Sequence, residues 1–373
     1  MIGDAMKIWI GSAIVGTCLC SCLTARASDP VVCSAFNDQG DQVRATFLRP
    51  NLNLVIMTAG ENDRKTLSAA TDDDGLVGCS VFFDRDHRNV AVGLNDLKLK
   101  PGPLFVVVAN LGTGKLISNF VVSPSAATGD SLKLVGFLQQ GPDLVVLGSG
   151  TPDHPTKTFL TTLFHVNGQQ VQPSETRDLP ATALAVGNAN FVDVANNRLW
   201  FKSSPQFCPL SYVPLVGNGP VNAAVNEASA KAACDVGSAI GFPDQSTLIT
   251  AATREPNDLV TRVDLTQHMV DEIVLPSARG SRAYTSVGRG IVSPDGKVFA
   301  VVRTLLENSV SGDEHSRGME LVAVQVSPLK IIGKVGLKIG TDPASLSIDH
   351  RGATVTVLSF QNGKWSSQPL KEP

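Results

Sequence analysis

A short hairpin that returns about every fifty residues constrains this chain more than any other feature. Its clearest copy is Gly290-Ile291-Val292-Ser293-Pro294-Asp295-Gly296-Lys297-Val298-Phe299-Ala300-Val301-Val302-Arg303. Two apolar runs flank a Pro-Asp-Gly turn, in which proline presets one φ and glycine supplies a positive one. Weaker copies turn at Asp86, Gly141, Asn196, Asp244 and Arg351, so successive turn centres lie 48 to 56 residues apart. Val31-Val32-Cys33-Ser34-Ala35-Phe36, a turn through Gly40 and Val43-Arg44-Ala45-Thr46-Phe47 form one more copy, centred 46 residues before Asp86.

A second hairpin follows the first in several periods. Leu104-Phe105-Val106-Val107-Val108 runs into Asn110-Leu111-Gly112-Thr113-Gly114, and Phe159-Leu160-Thr161-Thr162-Leu163-Phe164 turns at Asn167-Gly168. Leu259 to Leu265 turns at Thr266-Gln267-His268, and Glu320-Leu321-Val322-Ala323-Val324 at Ser327-Pro328-Leu329. Two hairpins per period make four antiparallel strands, the content of one β-propeller blade. A sandwich would place turns roughly every 8–12 residues without this longer beat. The expected fold is therefore all-β, a propeller of four-stranded antiparallel blades. Seven blades with a short last one is the preferred count; six is the alternative, if the N-terminal hairpin joins the final blade. The first strand of each blade, lying deepest, is expected to be the most buried on both faces.

Residues 1–27 read as a signal peptide. Lys7 precedes an uncharged run over 8–23, and Ala25-Arg26-Ala27 offers small residues where a signal peptidase cuts. The run is short for a membrane span and rich in Gly, Ser, Thr and Cys. Cleavage there leaves residues 28–373 as a single propeller domain with no transmembrane span. Leu19-Cys20-Ser21-Cys22 loosely matches a lipobox, which would place a lipid anchor on Cys22. The mature chain keeps Cys33, Cys79, Cys208 and Cys234. An even count in an exported chain suggests two disulfides, and the pairs closing the shortest loops are Cys33–Cys79 and Cys208–Cys234. No CxxC or Cys/His cluster points to a metal.

Over residues 290–348 the chain resembles the secreted propellers named for their Tyr-Val-Thr-Asn repeats, relatives of the seven-bladed lactonase-type propellers. The residues that carry the resemblance are Ser293-Pro294-Asp295-Gly296-Lys297, Glu320-Leu321-Val322-Ala323-Val324 and Gly340-Thr341-Asp342-Pro343-Ala344-Ser345-Leu346. Phe299-Ala300-Val301-Val302 replaces the eponymous residues. These are strand positions, so the resemblance implies a fold and assigns no catalytic residue.

In a propeller, the loops from second to third strand and the connections between blades share one face, where ligand sites usually open. On that face fall Asp153 and His154, then Arg279, Arg282 and Tyr284, then Asp313, Glu314, His315 and Arg317 within the long loop 308–318. Together they are candidates to bind a protein or a small polar ligand, or to serve as acid and base. Asp72-Asp73-Asp74-Gly75 lacks the alternating carboxylates of a calcium loop and reads as an acidic connection. His87, His165, His268 and His350 read as turn residues away from that face.

Aromatic residues are only 5% and the formal net charge is −3, so neither a base-stacking platform nor attraction to nucleic acid is expected. There is no Gly-x-Ser-x-Gly elbow, no His-Glu-x-x-His and no phosphate-cradling loop. The expected role is a non-enzymatic binding or scaffold module, monomeric and without a cofactor, in a secreted, periplasmic or cell-surface setting. A propeller-type hydrolase or lactonase with a site at the channel mouth is the alternative.

Overall fold

Among the described residues, seven antiparallel sheets follow one another along the chain, six of four strands and a last one of three. The computed structural model describes residues 30–60, 64–71, 76–96, 102–125, 131–138, 141–149, 158–171, 175–178, 192–202, 210–217, 219, 222–223, 239–254, 257–276, 283–308, 314–337 and 341–370. The blades span 31–70, 76–122, 131–178, 192–223, 239–275, 283–337 and 347–369, and within each the spatial order of strands is their order in sequence. This is a seven-bladed propeller with almost no helix: short 3-10 turns occur at Val194–Asn196 and Pro343–Ser345. Among the described residues, no helix is long and apolar enough to cross a membrane.

Each periodic turn joins the first two strands of a blade, and local chemistry explains why. In blade 6, Ser293 Oγ donates to Asp295 Oδ1 at 2.7 Å and accepts the Val298 N–H at 2.9 Å. Gly296 has φ +72°, and a Cβ there would lie 2.4 Å from the Pro243 carbonyl oxygen of blade 5. Glycine is thus required both by conformation and by the neighbouring blade. In blade 2, Asp84 accepts the Arg88 and Asn89 N–H groups at 2.7 and 3.0 Å.

The first strands form the inner ring. Those of blades 1 and 2, 2 and 3, 5 and 6, 6 and 7, and 7 and 1 touch directly, and the first strand of blade 3 meets the 3-10 turn of blade 4. Phe242 of blade 5 stacks on Trp200 of blade 4 at 5.6 Å. Among the described residues, no strand is shared across the closure. Instead, Ser34 Oγ donates to the Ser345 carbonyl at 2.8 Å and lies 2.6 Å from Ser347 Oγ. Arg351 Nη2 donates to the Gly40 carbonyl at 2.8 Å, and Trp365 Nε1 to Thr46 Oγ1 at 3.3 Å. The third described strand of blade 7, Lys364–Pro369, holds only exposed and half-buried positions and ends in proline, as suits an edge.

Burial departs from expectation in one respect. The middle strands are the most buried, not the first: Val90, Val92, Leu94, Val106, Val107 and Val108 are all fully buried. By contrast, the first strands of blades 1 and 7 contain several half-buried residues. A middle strand is paired on both edges and packed between two neighbouring blades on both faces. A first strand leaves one edge toward the axis. The core is accordingly a series of apolar layers between adjacent blades, such as Phe47, Leu52 and Leu54 against Val92, Leu94 and Phe105.

The loop expected over 308–318 is also shorter than its composition suggested. The second and third strands of blade 6 run over Val298–Asn308 and Glu314–Gln325, longer than any other strands described. Ser316 and Arg317 are exposed on this lengthened hairpin rather than buried between sheets, so they carry no desolvation cost.

Cys33 on blade 1 and Cys79 on blade 2 form a disulfide with Cα atoms 5.6 Å apart, as the shortest-loop argument anticipated. Cys208 and Cys234 lie outside the described residues. The bond clips two first strands 46 residues apart, for which chain entropy predicts a stabilisation of about 4 kcal/mol. Replacing both cysteines by alanine should lower the urea midpoint by the equivalent of roughly 2–4 kcal/mol. An unchanged midpoint would mean that blade packing alone holds this joint.

Candidate functional site

Asp153, His154, Arg279, Arg282 and Asp313 lie outside the described residues. Backbone register places Tyr284 opposite Leu306, Glu314 opposite Asn308 and His315 opposite Glu307, so these three share the outer end of blade 6. Arg317 falls where the register shifts between Leu305 and Leu306, at a bulge, and its exposed guanidinium pairs with Glu307.

Beneath that end, within blade 6 and against blade 5, lies a buried charged network. Asp258, with 1% of its side chain exposed, accepts from Arg303 Nη1 at 3.0 Å and from Thr285 Oγ1 at 2.6 Å. Arg303 also pairs with Glu320 across the sheet, while its Nε is buried without a partner. The network joins the third strand of blade 5 to three strands of blade 6. Its position between sheets makes it a fastening rather than a reactive centre.

Three cavities bounded by described residues open on the other face, among the turns that join first to second strands. The largest, 1010 Å³, is a groove across blades 5, 6 and 7 whose charged lining includes Asp244, Asp264, Asp295, Lys297, Lys330 and His350. Its carboxylates are already engaged. Asp244 accepts the Ser246 N–H at 2.7 Å and the Thr247 hydroxyl at 3.0 Å. Asp264 accepts the Thr266 and Gln267 N–H groups at 2.9 and 2.8 Å.

Ser293, Asp295 and His350 make the most suggestive trio. His350 Nδ1 donates to Asp295 Oδ2 at 2.8 Å, across from blade 7 to blade 6. A hydrolytic triad places histidine between serine and carboxylate, so that the imidazole takes the hydroxyl proton. Here the carboxylate stands in the middle, and Ser293 Oγ is spent on it and on the Val298 N–H. The same three residue types therefore fasten a turn.

Burial alone would push the Asp295 carboxyl up, but hydrogen bonds from Ser293, His350 and the Lys297 N–H outweigh it and hold it below the ordinary value. Asp244 is depressed in the same way, with burial overcome by Ser246 and Thr247. A folded value below the unfolded one, about 3.9, contributes stability above that pH and loses it as pH falls through the folded value. Buried Asp193 runs the other way: desolvation raises its carboxyl despite Arg198 and Asn196. Comparing Asp295→Asn with the parent isolates the depressed group. The melting temperature of the parent should fall more steeply below about pH 4 than that of the variant. Parallel curves would show that the Asp295 contacts contribute nothing to acid stability.

The second cavity, 670 Å³, is the mouth of the central channel, ringed by first-strand ends of blades 1 to 6. Phe36, Phe82, Phe83, Phe137 and Phe242 line it, five of the chain's 15 phenylalanines. The sequence carried a signal for this collar that motif reading missed: Phe36, Phe83, Phe137 and Phe242 each stand at or beside the end of a first strand, just before its turn. Asp38, Asp84, Arg85, His87 and Asp193 supply the charged rim. The third cavity, 550 Å³, lies at the seam of blades 7 and 1 beside Gly40 and Arg351. Among the described residues, no group of three or more His, Cys, Asp or Glu could hold a metal ion.

No family model and no curated protein matches the chain. Among solved structures, it is similar to the β-propeller domain of the Trilobed protease from Pyrococcus furiosus, at 12% identity and a TM-score of 0.47, over 93% of this chain and 97% of that one. The Dos1 propeller overlaps at 12% identity and 0.45, covering 91% and 92%. A Bacteroides uniformis protein described as a 6-phosphogluconolactonase overlaps at 11% and 0.43, covering 92% and 98%. At such identity and overlap these carry nothing about activity. The propeller assignment rests on the seven sheets.

Proposed function

We propose that this chain is an exported, monomeric binding module that recognises its ligand on the turn face of the disc. One observation carries the reading: the cavities open there, while the acidic groups lining the largest are occupied as turn caps. A rigid surface with bound carboxylates and an apolar collar suits holding a ligand better than moving a proton through it. The leader-like residues 1–27 and the Cys33–Cys79 bond support export to an oxidising compartment.

The test is a thermal-shift screen of the mature chain against a chemically diverse small-molecule panel, run beside turnover assays on lactone and ester substrates. Saturable stabilisation without turnover is the expected result. Turnover abolished by Ser293→Ala, His350→Ala or alanine at Glu314 and His315 would replace this reading with the hydrolase.

A further inference from the structure

Resting on that reading, we infer that the channel mouth on the turn face takes a small apolar anion, a hydrocarbon or aryl body carrying one carboxylate. The cavity is concave and of ligand size, 670 Å³ against the roughly 300–1,000 Å³ of small-molecule sites. Its wall is mostly apolar, and the rings of Phe36, Phe82, Phe83 and Phe242 are only partly buried there. A chain so poor in aromatic residues concentrates five phenylalanines at one opening, which offers a flat, water-repelling lining to an apolar body.

The sign of the ligand's charge follows from which rim groups are spoken for. Asp38 pairs with His87 Nε2 at 2.8 Å. Asp84 accepts from the Arg88 and Asn89 N–H groups and from Asn89 Nδ2. Asp193, buried, accepts from Arg198 and Asn196. Arg85 alone among the charged lining groups is exposed with no partner among the described residues. A guanidinium offers a planar fork of donors to a carboxylate, so an anion finds a wholly unspent partner at this rim, whereas the exposed carboxylate there, Asp38, is already held through one oxygen by His87.

The experiment is isothermal titration of the mature chain with decanoate below its micelle concentration, with decanol and decylamine as controls of equal length. Arg85→Glu and Arg85→Gln are the variants, since an exposed, unpaired side chain can change without disturbing the fold. Expected are saturable binding of one decanoate and at least a tenfold loss in Arg85→Glu, with a smaller loss in Arg85→Gln. Trp200 fluorescence should respond to decanoate, because Phe242 of the collar stacks on that indole. Absence of saturable decanoate binding, equal affinity in Arg85→Glu, or tighter binding of decylamine would overturn the inference. So would tighter binding of a peptide with an apolar C-terminal residue than of decanoate. A panel ligand whose binding ignores Arg85→Glu would also overturn it, yet leave the binding-module reading standing.

Discussion

Replacing Arg303 with methionine should destabilise the protein by about 3–5 kcal/mol, the usual cost of removing one partner from a buried ion pair. The guanidinium is 4% exposed and faces a carboxylate, Asp258, that is 1% exposed. Without Arg303, Asp258 keeps only the Thr285 hydroxyl among the contacts described and must either carry an uncompensated charge in low dielectric or take up a proton. Glu320, more accessible at 17%, can turn to solvent and adds less. The decisive comparison is with the double variant Arg303→Met, Asp258→Leu. Removing both charges removes the desolvation cost as well, so the double variant should recover most of the loss. Urea unfolding of the parent, the single and the double variants measures this. A double variant as unstable as the single would show that the network's contribution is packing shape rather than charge.

Replacing Trp200 with alanine should cost about 3–5 kcal/mol, the range for emptying a large aromatic site. The indole is fully buried between blades 4 and 5, its ring 5.0 Å from Tyr212 and 5.6 Å from Phe242, with the Arg198 guanidinium 5.3 Å above it. Its Nε1 is buried without a hydrogen-bond partner, a group that costs about 1–3 kcal/mol to leave unsatisfied. Trp200→Phe deletes that donor along with part of the ring. The relief should offset much of the lost contact, leaving a net change within about 1.5 kcal/mol. If phenylalanine proved as damaging as alanine, the indole nitrogen would have to be satisfied in solution, and the account of this joint would need that partner.

Much of the architecture was legible because it is written in short-range chemistry. A proline, a carboxylate and a glycine at a turn act within five residues, as Ser293, Asp295 and Gly296 do, so their recurrence could be counted without knowing the fold. The shortest-loop pairing of Cys33 with Cys79 succeeded for a related reason: equivalent positions in neighbouring blades lie one repeat apart. The second hairpins of blades 1 and 4, whose third strands are Asn51–Met57 and Leu210–Pro214, were legible too, since Gly60 and Gly217-Asn218-Gly219-Pro220 follow those strands, but they were not among the hairpins singled out. Isolated charges within apolar strands, Asp258 and Arg303, were visible but could not be paired, because 45 residues separate them.

From its residues alone, then, this chain declares turn-defined antiparallel units and their order, with seven preferred over six, and singles out Cys33–Cys79 as one of two shortest-loop disulfides. Local dihedral preferences and alternating apolar runs suffice for that. Only the closed disc decides which strand is most buried, which carboxylates are consumed as caps, and that Ser293, Asp295 and His350 meet with the carboxylate in the middle. It also gathers five phenylalanines and an unpaired Arg85 at one opening. Those outcomes depend on contacts between blades about fifty residues apart, whose geometry is set by ring closure and not by any neighbour in sequence.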